Sequence, residues 1–482
     1  MTRIKLLLCS FLMCFSVSIF AQTDSVKNEG ETTNSKLAWF QDAKFGMFIH
    51  WGVYSKLAGE WNGKSGFGEF IMLSAKIPIS QYEQVAKTLN PVEYNAEKWV
   101  LAAKQAGMQY IVITAKHHEG FAMFNSPSNP YNIVNFSAFK RDPIKELADA
   151  CRKHGVKFGV YYSLGRDWHD PDVPTIWPTK GGRSNTWDFP NEDAKDFSKY
   201  FERKVKPQVT ELITQYQPAI MWFDTPDMIN KEQSHELRAL ILKLDPACII
   251  NERIGNGFGD YSVLEQKGGD KIIPGIWETC MTMGKNWGYV RKDTVYKSSE
   301  KLIGLLVDAV SKGGNLLLNA GPTAEGTITP GNLSRMADMG DWLDINGEAI
   351  YGTKPWKFFG ENADESAYRT QQGFIADKKD EVFDGTPKDV VQDIRFTTKG
   401  ENLYVIARSW RQKEALIKSL TKDEYRIQTV SMLGYKGRID WTQSNLGTTV
   451  VIPAKAVRNI PIYVFKFTLK TRTTLNQPNQ SK

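Results

Sequence analysis

From Leu37 to about Tyr351 short apolar runs, rich in β-branched and aromatic residues, alternate with longer stretches of helical periodicity. The runs predict strands over Phe45 to Trp51, Tyr110 to Lys116, Lys157 to Ser163, Ala219 to Phe223, Cys248 to Asn251, Gly275 to Trp277 and Asn315 to Leu318, with a weaker one near Ala349 to Tyr351. Helices are predicted over Asn95 to Ala106, Pro143 to His154, Phe197 to Tyr216, Lys231 to Leu244, Thr294 to Ser311 and Pro330 to Ile345. Asp142-Pro143 marks one start, with an acceptor at the cap and proline in the first turn. Parallel strands need a long crossover, and eight strands joined by helices predict a TIM-like (β/α)8 barrel with functional residues at the C-terminal strand ends. A doubly wound sheet would carry a glycine-rich loop after its first strand. Phe48-Ile49-His50-Trp51-Gly52 stands there instead.

Beyond about Phe358 the pattern changes to extended runs: Val391 to Thr397, Leu403 to Arg408, Arg426 to Met432, Thr448 to Ile452 and Ile460 to Leu469. Turns such as Lys399-Gly400-Glu401-Asn402 separate them without helices, which predicts a C-terminal antiparallel β-sandwich. The expected organisation is a signal peptide at 1–21, a flexible polar segment at 22–35, the catalytic barrel at 36–357, the sandwich at 358–470 and a polar tail at 471–482. The signal reading rests on Arg3 and Lys5, an apolar run of roughly 15 residues and Ala21 before Gln22. The run is short of the roughly 20 residues a span needs, so the mature chain is expected in the periplasm or secreted, with no membrane insertion.

Cleavage removes two basic residues and no acidic ones, bringing the formal charge from +7 to +5. No basic tract is present, and a nucleic-acid partner would need one. Cys9 and Cys14 leave with the signal; Cys151, Cys248 and Cys280 remain, too scattered for a disulfide framework or zinc spacing, though one pair is open in an oxidising compartment.

MWFDTPDMIN, from Met221 to Asn230, puts an acid at the end of an apolar run. Burying Asp224 unpaired is expensive, so it must be satisfied by partners, exposed at the strand end, or used in chemistry. The other strand ends carry His50 and Trp51, His117-His118-Glu119-Gly120, Asn251-Glu252-Arg253, Trp277-Glu278 and Asn319. Three of the six histidines fall at two of these ends. Taken singly, each polar residue is as well explained by capping or hydrogen bonding in a loop. A metal site on His50, His117 and His118 requires the strand to have ended, because adjacent side chains on a strand face opposite ways. No GxSxG elbow stands where a serine nucleophile would need it. Carbohydrate hydrolysis wants two carboxylates, groups for sugar hydroxyls and aromatic faces, and the chain supplies all of them.

FGMFIHWGVYS, TAKHHEGFAMF, MWFDTPD, INERIG, WETCMTMGKNWGY and SKGGNLLLNAGPTAEGTI, in this order, resemble the α-L-fucosidases of glycoside hydrolase family 29. The resemblance runs from about Leu37 to the end. It implies a retaining exo-enzyme that releases terminal L-fucose from oligosaccharides or polysaccharides, with no metal or other cofactor. By motif, Asp224 is similar to the nucleophile. His50, His117, His118, Trp222 and Arg253 are similar to sugar-holding residues, and Glu69 to a carboxylate of a loop near the pocket; Trp277 joins the substrate-binding set. The acid/base is expected to be Glu278, at a strand end where burial raises its pKa, with Glu265 on the intervening loop as the rival and Glu252 a weaker third. Glu119 and Thr225 stand where many relatives carry aspartate and glycine. A homo-oligomer, a pocket for a related sugar such as α-L-galactose, and a noncatalytic fucose-glycan-binding role remain open. So do the linkage and the choice among host, plant and sulfated algal substrates.

Overall fold

The computed structural model describes residues 29–268, 271–361, 393–408, 410, 412–456 and 459–471. The expected signal peptide and the tail from 472 onward lie outside these residues. Residues 29–35, expected as part of a flexible segment, form the first turns of helix Glu29–Ala43.

Eight parallel strands organise the first part: β1 Phe45–Ile49, β2 Tyr110–Lys116, β3 Lys157–Ser163, β4 Ile220–Asp224, β5 Ile249–Ile250, β6 Ser262–Glu265, β7 Trp277–Thr282 and β8 Asn315–Ala320. Their hydrogen-bonded order is β5-β4-β3-β2-β1-β8-β7-β6, a (β/α)8-like sheet. Its two edge strands approach through a single parallel bridge, Asn251 to Tyr261, flanked by Asp260 N to Ile250 O at 2.7 Å and Glu252 N to Tyr261 O at 2.8 Å.

The strands are buried on both faces, which is why they read as continuous apolar runs. Alternation along them sorts their side chains into two clusters. Phe48, Val112, Tyr161, Trp222, Cys280 and Leu317 pack together inside the sheet. Met47, Ile49, Ile111, Ile113, Met221 and Leu318 join the larger core under the helices. His50 and Asp224 continue the inward parity of Phe48 and Trp222.

Two strand expectations are corrected. Ala349 to Tyr351 is no strand: Gly347–Ala349 is a 3-10 turn, and its neighbours looked strand-like because Ala349 and Ile350 are buried packing residues. The missing strand is β6, only four residues long, so that Glu265 ends a strand and does not lie on a loop. The run expected to end at Trp277 begins there, so Trp277 and Glu278 sit at the N-terminal end of β7. A buried acid inside a strand reads as a terminus unless its hydrogen-bond partners are known.

Helices Pro143–His154 and Lys231–Leu244 match their expected bounds, and the Asp142 side chain accepts from Lys145 N at 3.0 Å. The helix expected over Phe197 to Tyr216 is interrupted by a π-helical turn, Phe201–Val205. Pro207, lacking a backbone N–H, accounts for the local slip.

The C-terminal part adds β9 Lys354–Glu361, β10 Asp393–Lys399, β11 Asn402–Arg408, β12 Glu414–Ile417, β13 Tyr425–Met432, β14 Trp441–Ser444, β15 Gly447–Val451 and β16 Tyr463–Thr471. They pair antiparallel as a five-stranded sheet, β9-β10-β11-β16-β13, and a three-stranded one, β12-β15-β14. Phe396, Val405 and Phe465 from the first sheet share a core with Ala415, Ile417 and Val450 from the second. The two parts meet at helix Ser299–Ser311, whose buried Asp308 pairs with Arg395 at 3.0 Å.

Cys151, Cys248 and Cys280 are buried free thiols. Among the described residues, no helix is long and apolar enough to cross a membrane.

Candidate active site

A cleft of about 2360 Å³ opens where the strands end. His50 follows β1, His117 and His118 follow β2, Asp224 ends β4, Arg253 follows β5 and Glu265 ends β6, and all six line it. Parallel strands released at one edge bring these residues together from across more than 200 positions of sequence.

Asp224 is the most heavily supported of them. Tyr161 Oη donates to Oδ2 at 2.7 Å, Arg253 Nη1 to Oδ1 at 2.7 Å and the Thr225 amide to Oδ1 at 2.9 Å. Burial alone would push this carboxyl up; Arg253, the Tyr161 hydroxyl and Arg166 outweigh it and hold it below the usual carboxylate range. Arg253 uses its other nitrogen on Glu265 Oε2, also at 2.7 Å, while its guanidinium carbon lies 5.0 Å from the Trp222 ring. One planar fork thus orients two carboxylates.

The histidines are neutral. Burial first, only partly offset by Asn319 and Asp224, lowers His50 to about 4. Burial and neighbouring positive groups put His117 and His118 well below their ordinary value. His50 Nδ1 meets Asn319 Oδ1 at 2.7 Å, and the Asn319 amide nitrogen donates to Trp287 O at 2.7 Å. The amide therefore presents oxygen to the ring, Nδ1 carries the proton, and Nε2 is left as an acceptor. His118 Nδ1 is 2.6 Å from Ser163 Oγ, with Nε2 3.7 Å from Asp224 Oδ2. His117 Nδ1 is buried with no hydrogen-bond partner among the described residues.

Glu69 lines the same cleft, buried, with Oε2 accepting from Gly288 N at 3.1 Å. Burial raises its pKa. Trp222 lies in the wall and donates Nε1 to Glu278 Oε1 at 3.0 Å. Glu278 itself is fully buried inside the sheet, accepts also from the Tyr110 hydroxyl, and is absent from the cleft wall. Burial pushes it up to about 7. Trp277, also outside the wall, packs against Gly314 at the base of β8. Glu252 lines the rim, with its carboxylate accepting from Val263 N at 2.8 Å. Among the described residues, no three histidine, cysteine or acidic side chains are grouped to hold a metal.

The α-L-fucosidase family model matches residues 13–348, and the α-L-fucosidase C-terminal domain model matches 388–470. The chain belongs to the α-L-fucosidase family, glycoside hydrolase family 29. It is 31% identical to the plasma α-L-fucosidase of Homo sapiens over 452 residues, covering 88% of this chain and 87% of that protein. It is similar to the solved α-L-fucosidase isoenzyme 1 from Paenibacillus thiaminolyticus, with a TM-score of 0.76 and 30% identity over 91% of this chain and 100% of that one. An α-L-fucosidase of Lactobacillus casei, solved with its α-L-fucose product, gives 0.61 at 38% identity over 65% of this chain and 100% of that one.

Within this family member, sequence reasoning placed Asn319 at a strand end but missed Tyr161, Arg166 and Trp287 as parts of the site. Tyr161 was within reach, since it shares the inward parity of Ser163, the last residue of β3. Trp287 stands in the quoted WETCMTMGKNWGY stretch but on a loop, where periodicity says nothing about direction. The two departures have local accounts. Thr225 adopts φ 54°, a left-handed conformation that strains a β-branched residue and favours glycine. Glu119, beneath the cleft, accepts from Val53 N at 2.8 Å, Tyr54 N at 3.3 Å and the Tyr82 hydroxyl, so its longer arm ties the loop after His50 in place.

Proposed function

We propose that in this retaining exo-α-L-fucosidase Asp224 is the nucleophile and Glu265, in place of the Glu278 expected from the sequence, is the acid/base. Asp224 forms a bond to the anomeric carbon as the bond to the glycosidic oxygen breaks, and the Glu265 proton goes to that oxygen. Water then attacks the same carbon, its proton returns to Glu265, and the bond to Asp224 breaks to free fucose. The observation that carries this assignment is the shared Arg253 fork, which presents both carboxylates to one cleft. Glu278, enclosed by Tyr110 and Trp222, has no route to a leaving group.

His50, His117, His118 and Arg253 supply the hydroxyl contacts in this reading, with Trp222, Phe48 and Trp287 as the apolar wall for the sugar face and its methyl group. That aromatic lining favours fucose over α-L-galactose, whose hydroxyl on C6 would need a polar partner. Closure of the sheet into a barrel through the Asn251 to Tyr261 bridge, export through cleavage near Ala21, and a fucosylated glycan as substrate complete the proposal.

Rates on an aryl α-L-fucoside for wild type, Glu265→Ala and Glu278→Ala, with and without azide, test it. Glu265→Ala is expected to be crippled and rescued as α-fucosyl azide, the retained anomer formed when azide displaces the Asp224 ester, and Glu278→Ala to gain nothing from azide. Rescue of Glu278→Ala alone returns the acid role to that residue. A wild type that releases no fucose moves a noncatalytic glycan-binding role to the front.

A further inference from the structure

Between β3 and helix Phe197–Tyr200 a long loop forms one wall of the cleft mouth. Its Arg183 guanidinium lies 3.8 Å from the ring centroid of Trp177, an indole 48% exposed. Arg166, 6% exposed, lies 5.7 Å from the same ring. Two like charges around one ring need compensation, and little is at hand. Arg166 Nη2 binds Asp227 at 2.9 Å, but its buried Nε has no partner. The Arg183 guanidinium has neither ion pair nor hydrogen bond among the described residues.

The carboxylates of the cleft are engaged elsewhere. Asp224 and Glu265 share Arg253, Asp227 holds Arg166, Glu252 accepts from Val263 N and Glu69 from Gly288 N. Glu265 and Asp227 lie within electrostatic reach of Arg183 without binding it. Exposed Lys267 adds a further positive charge to the cleft wall.

We propose that Arg183, Arg166 and Trp177 form a subsite for an anionic substituent, a sulfate ester or a carboxylate, on the residue to which fucose is attached. The indole offers a stacking face to the ring of the leaving group, and the guanidinium groups offer donors to the anion. This inference rests on Glu265 as the acid, which puts the leaving group beside Arg183.

The probes are three aryl α-L-fucosides, one neutral, one bearing a carboxylate and one a sulfonate, assayed with wild type, Arg183→Ala and Arg183→Lys. For each enzyme the readout is the ratio of kcat/KM on the anionic substrate to that on the neutral one. A general loss of activity cancels in this ratio, and leaving-group reactivity cancels between enzymes. Arg183→Ala is expected to lower the ratio about 10-fold, Arg183→Lys to lower it less, and salt to erode it in wild type more than in Arg183→Ala. A response confined to the sulfonate identifies a sulfate ester as the anion, and one confined to the carboxylate identifies an acidic sugar. Ratios that are the same in wild type and Arg183→Ala for both anions overturn the proposal. Wild type inactive on the neutral probe overturns the fucosidase reading instead.

Discussion

Asp224 and Glu265 are bound to one guanidinium, each 2.7 Å from a different nitrogen of Arg253. The acids end β4 and β6, and the 3-10 turn Glu252–Ile254 after β5 supplies the arginine. One guanidinium on that turn therefore holds the two carboxylates at a fixed spacing.

Removing that fork has a signed consequence. Burial pushes Asp224 up and Arg253 is the first group that pulls it down, so Arg253→Ala lets burial dominate. The nucleophile is needed ionised, and the acid limb of the kcat/KM profile is expected to move to higher pH, with a loss of about 100-fold or more at neutral pH. Arg253→Lys restores a charge but not the fork, and should recover only part. A pH–rate profile of the three proteins checks this; an unshifted acid limb in Arg253→Ala would remove Arg253 from the role.

The buried histidines give a second pH prediction. His50 is lowered to about 4 and burial puts His117 and His118 well below their ordinary value, so all three rings are expected to stay neutral from pH 8 to pH 5. In the unfolded chain they take protons near their ordinary value of about 6.5. The native state is thus favoured by these groups above about pH 6.5, and that stability is lost as pH falls toward their folded values. Nitrogen-15 NMR of the imidazoles is expected to show no titration of the three between pH 8 and 5, and an ordinary midpoint for His50 would mean that burial does not keep that ring neutral.

Glu278 runs the other way. Its folded value of about 7 lies above its unfolded one, so the native state binds the extra proton and loses stability as pH rises from about 4.5 through 7. Glu278→Gln keeps an acceptor for Trp222 and turns the Tyr110 hydroxyl from donor to acceptor. Its stability relative to wild type is expected to improve across that window by up to roughly 3 kcal/mol. Thermal melts at several pH values provide the test, and a pH-independent difference would mean that Glu278 does not titrate there.

Much of this arrangement was legible in the sequence, and three of the omissions share a cause. β1 to β4 and β8 are continuous apolar runs, which periodicity finds, and their ends delivered His50, His117, His118 and Asp224. β6 is four residues long, too short for any pattern to reach significance. That is why Glu265 read as a loop residue. β7 was misplaced because Glu278 looked like a terminus; a buried carboxylate is legible as interior only once Tyr110 and Trp222 are known to face it. The sandwich strands β12 and β14 were missed for the same reason of length, four residues each.

The last prediction concerns the joint between the two parts. Asp308, buried on helix Ser299–Ser311, pairs with Lys312 at 3.0 Å and with Arg395 at 3.0 Å, and lies 3.9 Å from Arg408; Asp393 lies 3.3 Å from Arg408. Among the described residues these two carboxylates face Lys312, Arg395 and Arg408 where water does not reach. Asp308→Ala takes the shared carboxylate away from Lys312 and Arg395, and breaking such a buried pair costs roughly 3–5 kcal/mol. Asp308→Asn keeps the shape and some hydrogen bonds, so it isolates the charge. Both variants are expected to unfold at lower temperature, alanine more than asparagine. Because β10 and β11 carry Arg395 and Arg408, the loss should also loosen the sandwich from the helix before either core melts. Calorimetry would show this as one transition resolving into two. A single unshifted transition in Asp308→Ala would mean that the apolar contacts of the joint hold it without the ion network.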